Sequence, residues 1–302
     1  MQWQVTPYVL LLFIAGVSSF LWALYGIRSI RTRGRRSYLA AFVVLCLTAS
    51  IWSAVYAVQL AATTLEAKLL AYNVLHVGSL MVPPAWFLFA LAYTDRAEWL
   101  TPPVIAGITA IPLALLLALP TNPYSLALVD VALETRGSLT VLVTENGPLY
   151  LLHLAYSYVI IVLGAWYMGA YAVRSGTLIR RQAALLVVGV VVPLALNVSN
   201  VLAIPVVGTT SVNLTPVSIA LSTALFGVAV FRYRMLDLTP IASRVVLTQM
   251  SDGVIVVDDR ERIVDLNPSA EALVGDRDSV LGTDVSSRLE QYGDLERDGR
   301  ML

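Results

Sequence analysis

Residues 8–27 read YVLLLFIAGVSSFLWALYGI, twenty positions without a single Asp, Glu, Lys or Arg. As a helix rising 1.5 Å per residue, such a run is about 30 Å long, the thickness of the hydrocarbon core of a bilayer. A long helix in a soluble core keeps a polar face, and this one has none. Runs of the same kind recur at 38–60, 69–93, 103–120, 149–173, 183–202 and 213–231, none of them containing a charged side chain. Seven apolar spans are expected, the fourth and seventh being among the shortest. The first is expected to be a retained helix rather than a signal peptide. No positive charge precedes it, and it exceeds the roughly 7–15 residues of a signal h-region.

Composition agrees. The 302 residues are 58% hydrophobic and 13% charged, against about 25% charged in ordinary soluble domains. This excludes a disordered chain, and one cysteine, Cys46, excludes a disulfide scaffold. The formal net charge of zero hides a segregation. Residues 1–236 carry 13 basic and 6 acidic side chains, and residues 237–302 carry 7 and 14.

Loop charges set the orientation. Arg28, Arg31, Arg33, Arg35 and Arg36 lie between the first two runs, Arg96 follows the third, Arg174, Arg180 and Arg181 separate the fifth and sixth, and Arg232 and Arg234 follow the seventh. The opposite side holds only Lys68 and Arg136. Cationic short loops stay cytoplasmic, which places the N-terminus outside and the C-terminus inside. The longest external connection, 121–148, has β-forming stretches at 126–133 and 139–144 around Thr135-Arg136-Gly137-Ser138, and an extracellular hairpin is expected there.

Beyond the seventh run, Thr239-Pro240 reads as an N-cap with proline at the first helical position, opening a short connector over 237–250. Val254-Ile255-Val256-Val257 and Arg262-Ile263-Val264-Asp265-Leu266 read as two short strands. Asn267-Pro268 opens a helix that Gly275 ends.

Residues 251–258, SDGVIVVD, followed by 262–270, RIVDLNPSA, resemble the opening of a PAS domain. Asn213-Leu214-Thr215-Pro216 with 231–238, FRYRMLDL, resembles the end of the seven-helix N-terminal region of archaeal and bacterial sensor histidine kinases. So do Gly147-Pro148-Leu149-Tyr150 with His153, Tyr156 and Tyr158, and Pro83-Pro84 with the stretch from Phe87 to Arg96. The resemblance covers nearly the whole chain. It implies an all-α polytopic bundle of seven transmembrane helices over 1–236, the connector, and over 251–302 the first part of an α+β PAS fold. The chain runs about 50 residues past Gly253, half of an ordinary domain of about 100. The resemblance further implies a homodimer and a downstream kinase core or response regulator. The only histidines, His76 and His153, lie inside apolar runs, so this stretch supplies no cytosolic phospho-acceptor and no catalytic activity is expected of it.

Polar side chains at membrane depth mark candidate sites. Asn73 and His76 share a helix face, His153 and Ser157 are four apart with Tyr156 beside them, and Asn197 and Asn200 continue a stripe from Pro193. Thr215, Ser218 and Ser222 are spaced similarly. These residues either line a pocket for an unknown small ligand or hydrogen-bond between helices to fix packing. Pro83, Pro84 and Pro193 are candidate hinges, and Arg232, Arg234 and Asp237 candidate transmission residues. Two histidines without a third ligand are poor grounds for a metal. No cofactor is expected: residues 232–302 contain no Cys for a flavin adduct and no His for haem.

The leading expectation is a membrane-embedded sensory input module that touches the lipid bilayer and no nucleic acid. A small-solute transporter or channel with a regulatory tail is the alternative, weakened because no run contains a carboxylate to couple ions. A retinal Schiff base needs a buried lysine, and the only one, Lys68, falls at the outer rim of the third run. No His-Glu-x-x-His or Gly-x-Ser-x-Gly pattern supports an enzyme.

Overall fold

In hydrocarbon every peptide group must be satisfied within the protein, and helices do so internally. The charge-free runs accordingly form helices. The computed structural model describes residues 3–33, 36–174, 177–202, 212–232, 250–258 and 261–287. The chain divides into two units, Met1–Met235 and Leu236–Leu302.

The first unit contains α1 (Pro7–Arg33), α2 (Ser37–Ala61), α3 (Leu65–Ser79), α4 (Val82–Tyr93), α5 (Pro102–Thr121), the strands β1 (Leu128–Arg136) and β2 (Leu139–Asn146), α6 (Pro148–Arg174), α7 (Thr177–Val201) and α8 (Thr215–Arg232). Among the described residues, six helical stretches are long and apolar enough to cross a bilayer: Pro7–Thr32, Ser37–Ala61, Leu65–Tyr93, Pro102–Thr121, Pro148–Arg174 and Ala183–Val201. The seventh expected run forms a shorter apolar helix, Thr215–Phe231, because the residues before Thr215 do not continue the helix.

α2 packs against α1, α3, α4 and α8. Its approach to α3 is backbone to backbone: a Cβ at Gly78 would lie 2.5 Å from the Thr48 carbonyl oxygen. Small residues permit such contacts where no hydrophobic force drives helices together.

Proline is handled in two ways. The kink expected at Pro83-Pro84 is a full break, α3 ending at Ser79 and α4 starting at Val82. Neither proline can donate to the carbonyls four residues back, at Ser79 and Leu80. The chain tightens instead, with Met81 N donating to Gly78 O at 3.0 Å. The prolines then occupy the first turn of α4, where no donor is needed. At Pro193, by contrast, α7 continues unbroken.

β1 and β2 pair antiparallel from Leu128↔Asn146 to Arg136↔Leu139. The two-residue turn begins with Gly137 at φ +65°, the positive φ that tight hairpin turns favour. The hairpin is pinned at both ends. The Asn122 side chain accepts from Ala127 N and Leu128 N at 3.0 Å and donates to Leu128 O at 2.7 Å. Gln4 Oε1 accepts from Thr140 N at 2.9 Å, while its Nε2 donates to Thr140 O at 2.8 Å and to Leu60 O at 2.6 Å. Leu128 packs with Tyr72, Leu115 and Leu119, and Val141 with Leu12, Ala57 and Leu60.

The second unit contains β3 (Ile255–Val257), β4 (Ile263–Leu266), α9 (Pro268–Val274) and α10 (Arg277–Val280). The strands pair antiparallel over a core of Ile263, Leu266, Ala270, Val274, Val280 and Val285. Asn267 organises the turn into α9. Its Oδ1 accepts from Ala270 N and Val254 N at 2.8 Å, and its Nδ2 donates to Asp252 O at 2.8 Å. Arg277 ties the helical segment back to β4 through the Asp265 carboxylate and, at 2.9 Å, through Leu266 O. The 237–250 connector, Arg234 and Asp237 lie outside the described residues, except for Met250.

Candidate ligand cavity

α3 carries Lys68, Tyr72, His76 and Ser79 along one side, at spacings of four, four and three. Across from it lie the start of α6, the end of α7 and the start of α8. A cavity of about 480 Å³ lies among these helices and α2, and β2 lies over it through residues 141–144. Small-molecule sites commonly span about 300–1,000 Å³.

Of the residues singled out from sequence, His76, His153, Ser157, Asn197 and Asn200 line this cavity, as do Pro83 and Pro193. Thr215 and Ser222 join them. Asn73 and Tyr156 are not on the lining, nor is Pro84. Arg232 is the last residue of α8.

Tyr156 illustrates why one position matters. A helix turns about 100° per residue, so Ser157 faces the cavity while Tyr156 faces α5. There its hydroxyl donates to Ile108 O, the carbonyl that Pro112, four residues on, cannot serve. Ser222 does the same for α7, donating to Gly189 O, which Pro193 leaves free. In hydrocarbon a carbonyl stranded in this way needs a side-chain donor, and both helices remain continuous because a neighbour supplies one. Packing and cavity lining are thus divided among the candidates, and Ser222 takes part in both.

Other contacts fix the walls. Tyr158 OH donates to Asn197 Oδ1 at 3.0 Å across α6 and α7. Ser157 Oγ lies 3.3 Å from His153 Nε2, and His76 Nδ1 lies 2.6 Å from Tyr72 O. Trp86 Nε1 donates to Ile161 O at 3.3 Å. Among the described residues four buried side-chain polar atoms have no hydrogen-bond partner, and three of them belong to the lining: Ser79 Oγ, His153 Nδ1 and Thr215 Oγ1. Buried polar groups are otherwise almost always satisfied, which sets these three side chains apart from the rest of the bundle. Among the described residues no group of three His, Cys, Asp or Glu side chains lies together as a metal site.

Lys68 stands in the first turn of α3, at the end of the third run as expected, and its side chain is 1% exposed and lines the cavity, which was not expected. Its four-residue spacing to Tyr72 and His76 was the available signal. Trp86, Tyr150 and the hairpin residues were also missed as lining, since their placement depends on contacts distant in sequence.

From the cavity floor an aromatic series runs to the end of α8. Trp86 and Phe226 lie 5.6 Å apart, Phe226 and Phe89 5.9 Å, Phe89 and Phe42 6.3 Å, and Phe42 and Phe231 5.7 Å. Trp22 and Tyr25 of α1 close around Phe231.

Residues 11–240 match the family described as the N-terminal 7TM region of histidine kinase, and residues 243–301 match a PAS domain. No curated protein matches the chain.

Proposed function

Because the chain belongs to the family of N-terminal 7TM regions of histidine kinases, we propose that its cavity receives a stimulus and that the helices pass the effect along the chain. A multi-helix sensor domain is joined to a PAS domain, the organisation of a two-component sensory input module. That identity implies a downstream kinase core and response regulator as partners.

The membrane setting follows from the long apolar helices. In our reading α8 is the seventh crossing. Its apolar stretch Thr215–Phe231 has 17 residues, the lower end of the range of about 17–25 that can span a bilayer. Arg28, Arg31, Arg96, Arg174 and Arg180 gather at the ends of helices away from the hairpin, while Lys68 and Arg136 lie at the hairpin end. The positive-inside tendency then puts the N-terminus and the hairpin outside and the C-terminus in the cytoplasm. A homodimer of the full protein belongs to the same proposal.

The observation carrying this reading is the continuity between cavity and exit. The unpartnered atoms of the lining sit above Trp86 and Phe226, and the aromatic series from those rings ends at Phe231, next to the last residue of α8. A ligand shifts such a bundle only if it binds two packings unequally, and rings shared by four helices offer a contact set that two packings would differ in. The absence of carboxylates from the apolar runs favours this over ion-coupled transport.

The test is a fusion of the chain to a kinase reporter in which one to four residues are inserted at Ser243. Output should vary with the number inserted, in step with helical phase. Output indifferent to insertion length would refute transmission through the connector.

A further inference from the structure

Lys68 is the one lysine of the chain. Its Nζ donates to Gln59 O at 2.9 Å and to Leu60 O at 3.4 Å. Both carbonyls belong to the last turn of α2, where helical donors run out and the helix dipole is negative. Capping α2 accounts for the position of Nζ, and the α2 dipole offsets part of its charge, but among the described residues no carboxylate neutralises it. Leu60 O already accepts from Gln4 Nε2 at 2.6 Å, and Ala61 O from Gln4 N at 2.8 Å. A neutral donor would complete the cap without the cost of burying an ion. An ammonium has three donors, two are used here, and among the described residues no carboxylate pairs with it.

Among the described residues, the cavity lining that includes Lys68 holds two cations, Lys68 and Arg136, and no Asp or Glu. Arg136 is already paired at 2.8 Å with Glu134. One positive charge therefore remains without a carboxylate partner. The other observation is independent of charge: His153 and Thr215, 6% and 2% exposed, belong to the lining, and each has a buried polar atom without a hydrogen-bond partner. Beyond them the floor is Trp86 and Phe226, with no charged group.

We propose that the cavity binds an amphiphilic monoanion, its head paired with the Lys68 ammonium and its apolar body lying against Trp86 and Phe226. A carboxylate is the simplest such head, and one net charge on the lining selects a single negative charge. The proposal rests on the reading of this cavity as the stimulus site and adds the class of the ligand. Lys68 acts as counter-ion, and His153 and Thr215 supply the polar contacts below it.

The experiment places the full chain in phosphatidylcholine nanodiscs and titrates 10-bromodecanoate, whose bromine quenches tryptophan on contact, against 10-bromodecanol and 10-bromodecylamine. Trp52 and Trp86 line the cavity and report occupancy. Saturable quenching by the acid is expected, about tenfold tighter than by the alcohol or the amine. Removing one partner of a buried charge pair commonly costs at least about tenfold, so Lys68→Met should weaken the acid by that factor and leave the alcohol unchanged. Lys68→Arg should restore most of the preference. Lys68→Gln, whose neutral amide can still donate to the α2 carbonyls, should weaken the acid by the same factor, and with the wild-type preference it decides the matter if Lys68→Met does not fold.

Equal quenching by acid and alcohol, a preference that survives Lys68→Met, or no saturable quenching by the acid overturns the proposal. Phosphatidylglycerol in the nanodiscs separates the sources. Competition with the acid identifies a membrane lipid as the anion, and absence of competition identifies a free amphiphile. If binding behaves as expected but the Ser243 insertions have no effect, the ligand class stands and the transmission reading falls; the reverse result removes only the ligand class.

Discussion

The two ends of the helical bundle are built on opposite principles. At the hairpin end the helices surround a cavity of about 480 Å³ whose lining includes a buried lysine and three polar atoms without partners. At the far end Phe42, Phe89 and Phe231 interlock with rings from α1 and α8, and Phe42 and Phe89 are 0% exposed. Close-packed aromatics contribute stability in proportion to what they bury. Unsatisfied polar groups do the reverse, and proteins tolerate them where function requires. In the proposed reading the contrast separates reception from stability along the same helices, with the Trp86–Phe226 pair at the boundary and Ser29 Oγ as the one unpartnered buried atom at the far end among the described residues.

The largest effect belongs to the far end. Phe89→Ala removes contacts with Phe42, Trp86, Tyr93 and Phe226 at once. A buried Phe→Ala change costs about 3–5 kcal/mol in soluble cores, and a comparable loss is expected in denaturant unfolding of the detergent-solubilised chain. A loss below about 1 kcal/mol would show that the far end is not where the bundle is held.

The second test lies at the boundary, where hydroxyls repair proline-damaged helices. Ser222→Ala strands the Gly189 carbonyl beside Pro193. A loss of about 1 kcal/mol is expected, between the cost of a stranded polar group and the smaller value typical within bilayers. Pro193→Ala restores the backbone donor, so the double variant should recover most of that loss. Additive losses in a double-mutant cycle would disprove the repair. Tyr156→Phe should behave likewise at the Ile108 carbonyl, with Pro112→Ala as its rescue.

What was legible in the sequence follows the same division. The apolar runs were plain because a bilayer imposes length and lack of charge on each helix separately. The hairpin strands and the Asn267 cap were plain because turn and cap chemistry is local. The break at Leu80–Met81 was half legible, since the prolines were visible but a kink and a break depend on what else serves the freed carbonyls. Tyr156 was assigned with Ser157 because neighbours in sequence look alike, although about 100° of helix rotation sends one to α5 and the other to the cavity. At Lys68 the position at the end of the third run was legible and the burial was not. A lysine near a helix start is normally solvated, and its burial here depends on the end of α2, on Gln4 and on the hairpin, none of which is local to it.

The smallest expected effect is the most discriminating. Thr215 is 2% exposed, and its Oγ1 has no partner among the described residues. Replacing an unsatisfied hydroxyl by a methyl of the same shape removes a desolvation cost and no hydrogen bond. Thr215→Val should therefore leave stability within about 0.5 kcal/mol of wild type, or raise it slightly. A merely structural hydroxyl, satisfied by an interior water, would instead lose its bond and destabilise by about 1 kcal/mol. Denaturant unfolding separates these signs. If the proposed ligand contacts Thr215, ligand-dependent output of the kinase fusion should fall even though the protein is no less stable. Destabilisation with unchanged output would assign Thr215 to packing and shift reception toward His153 and Ser79.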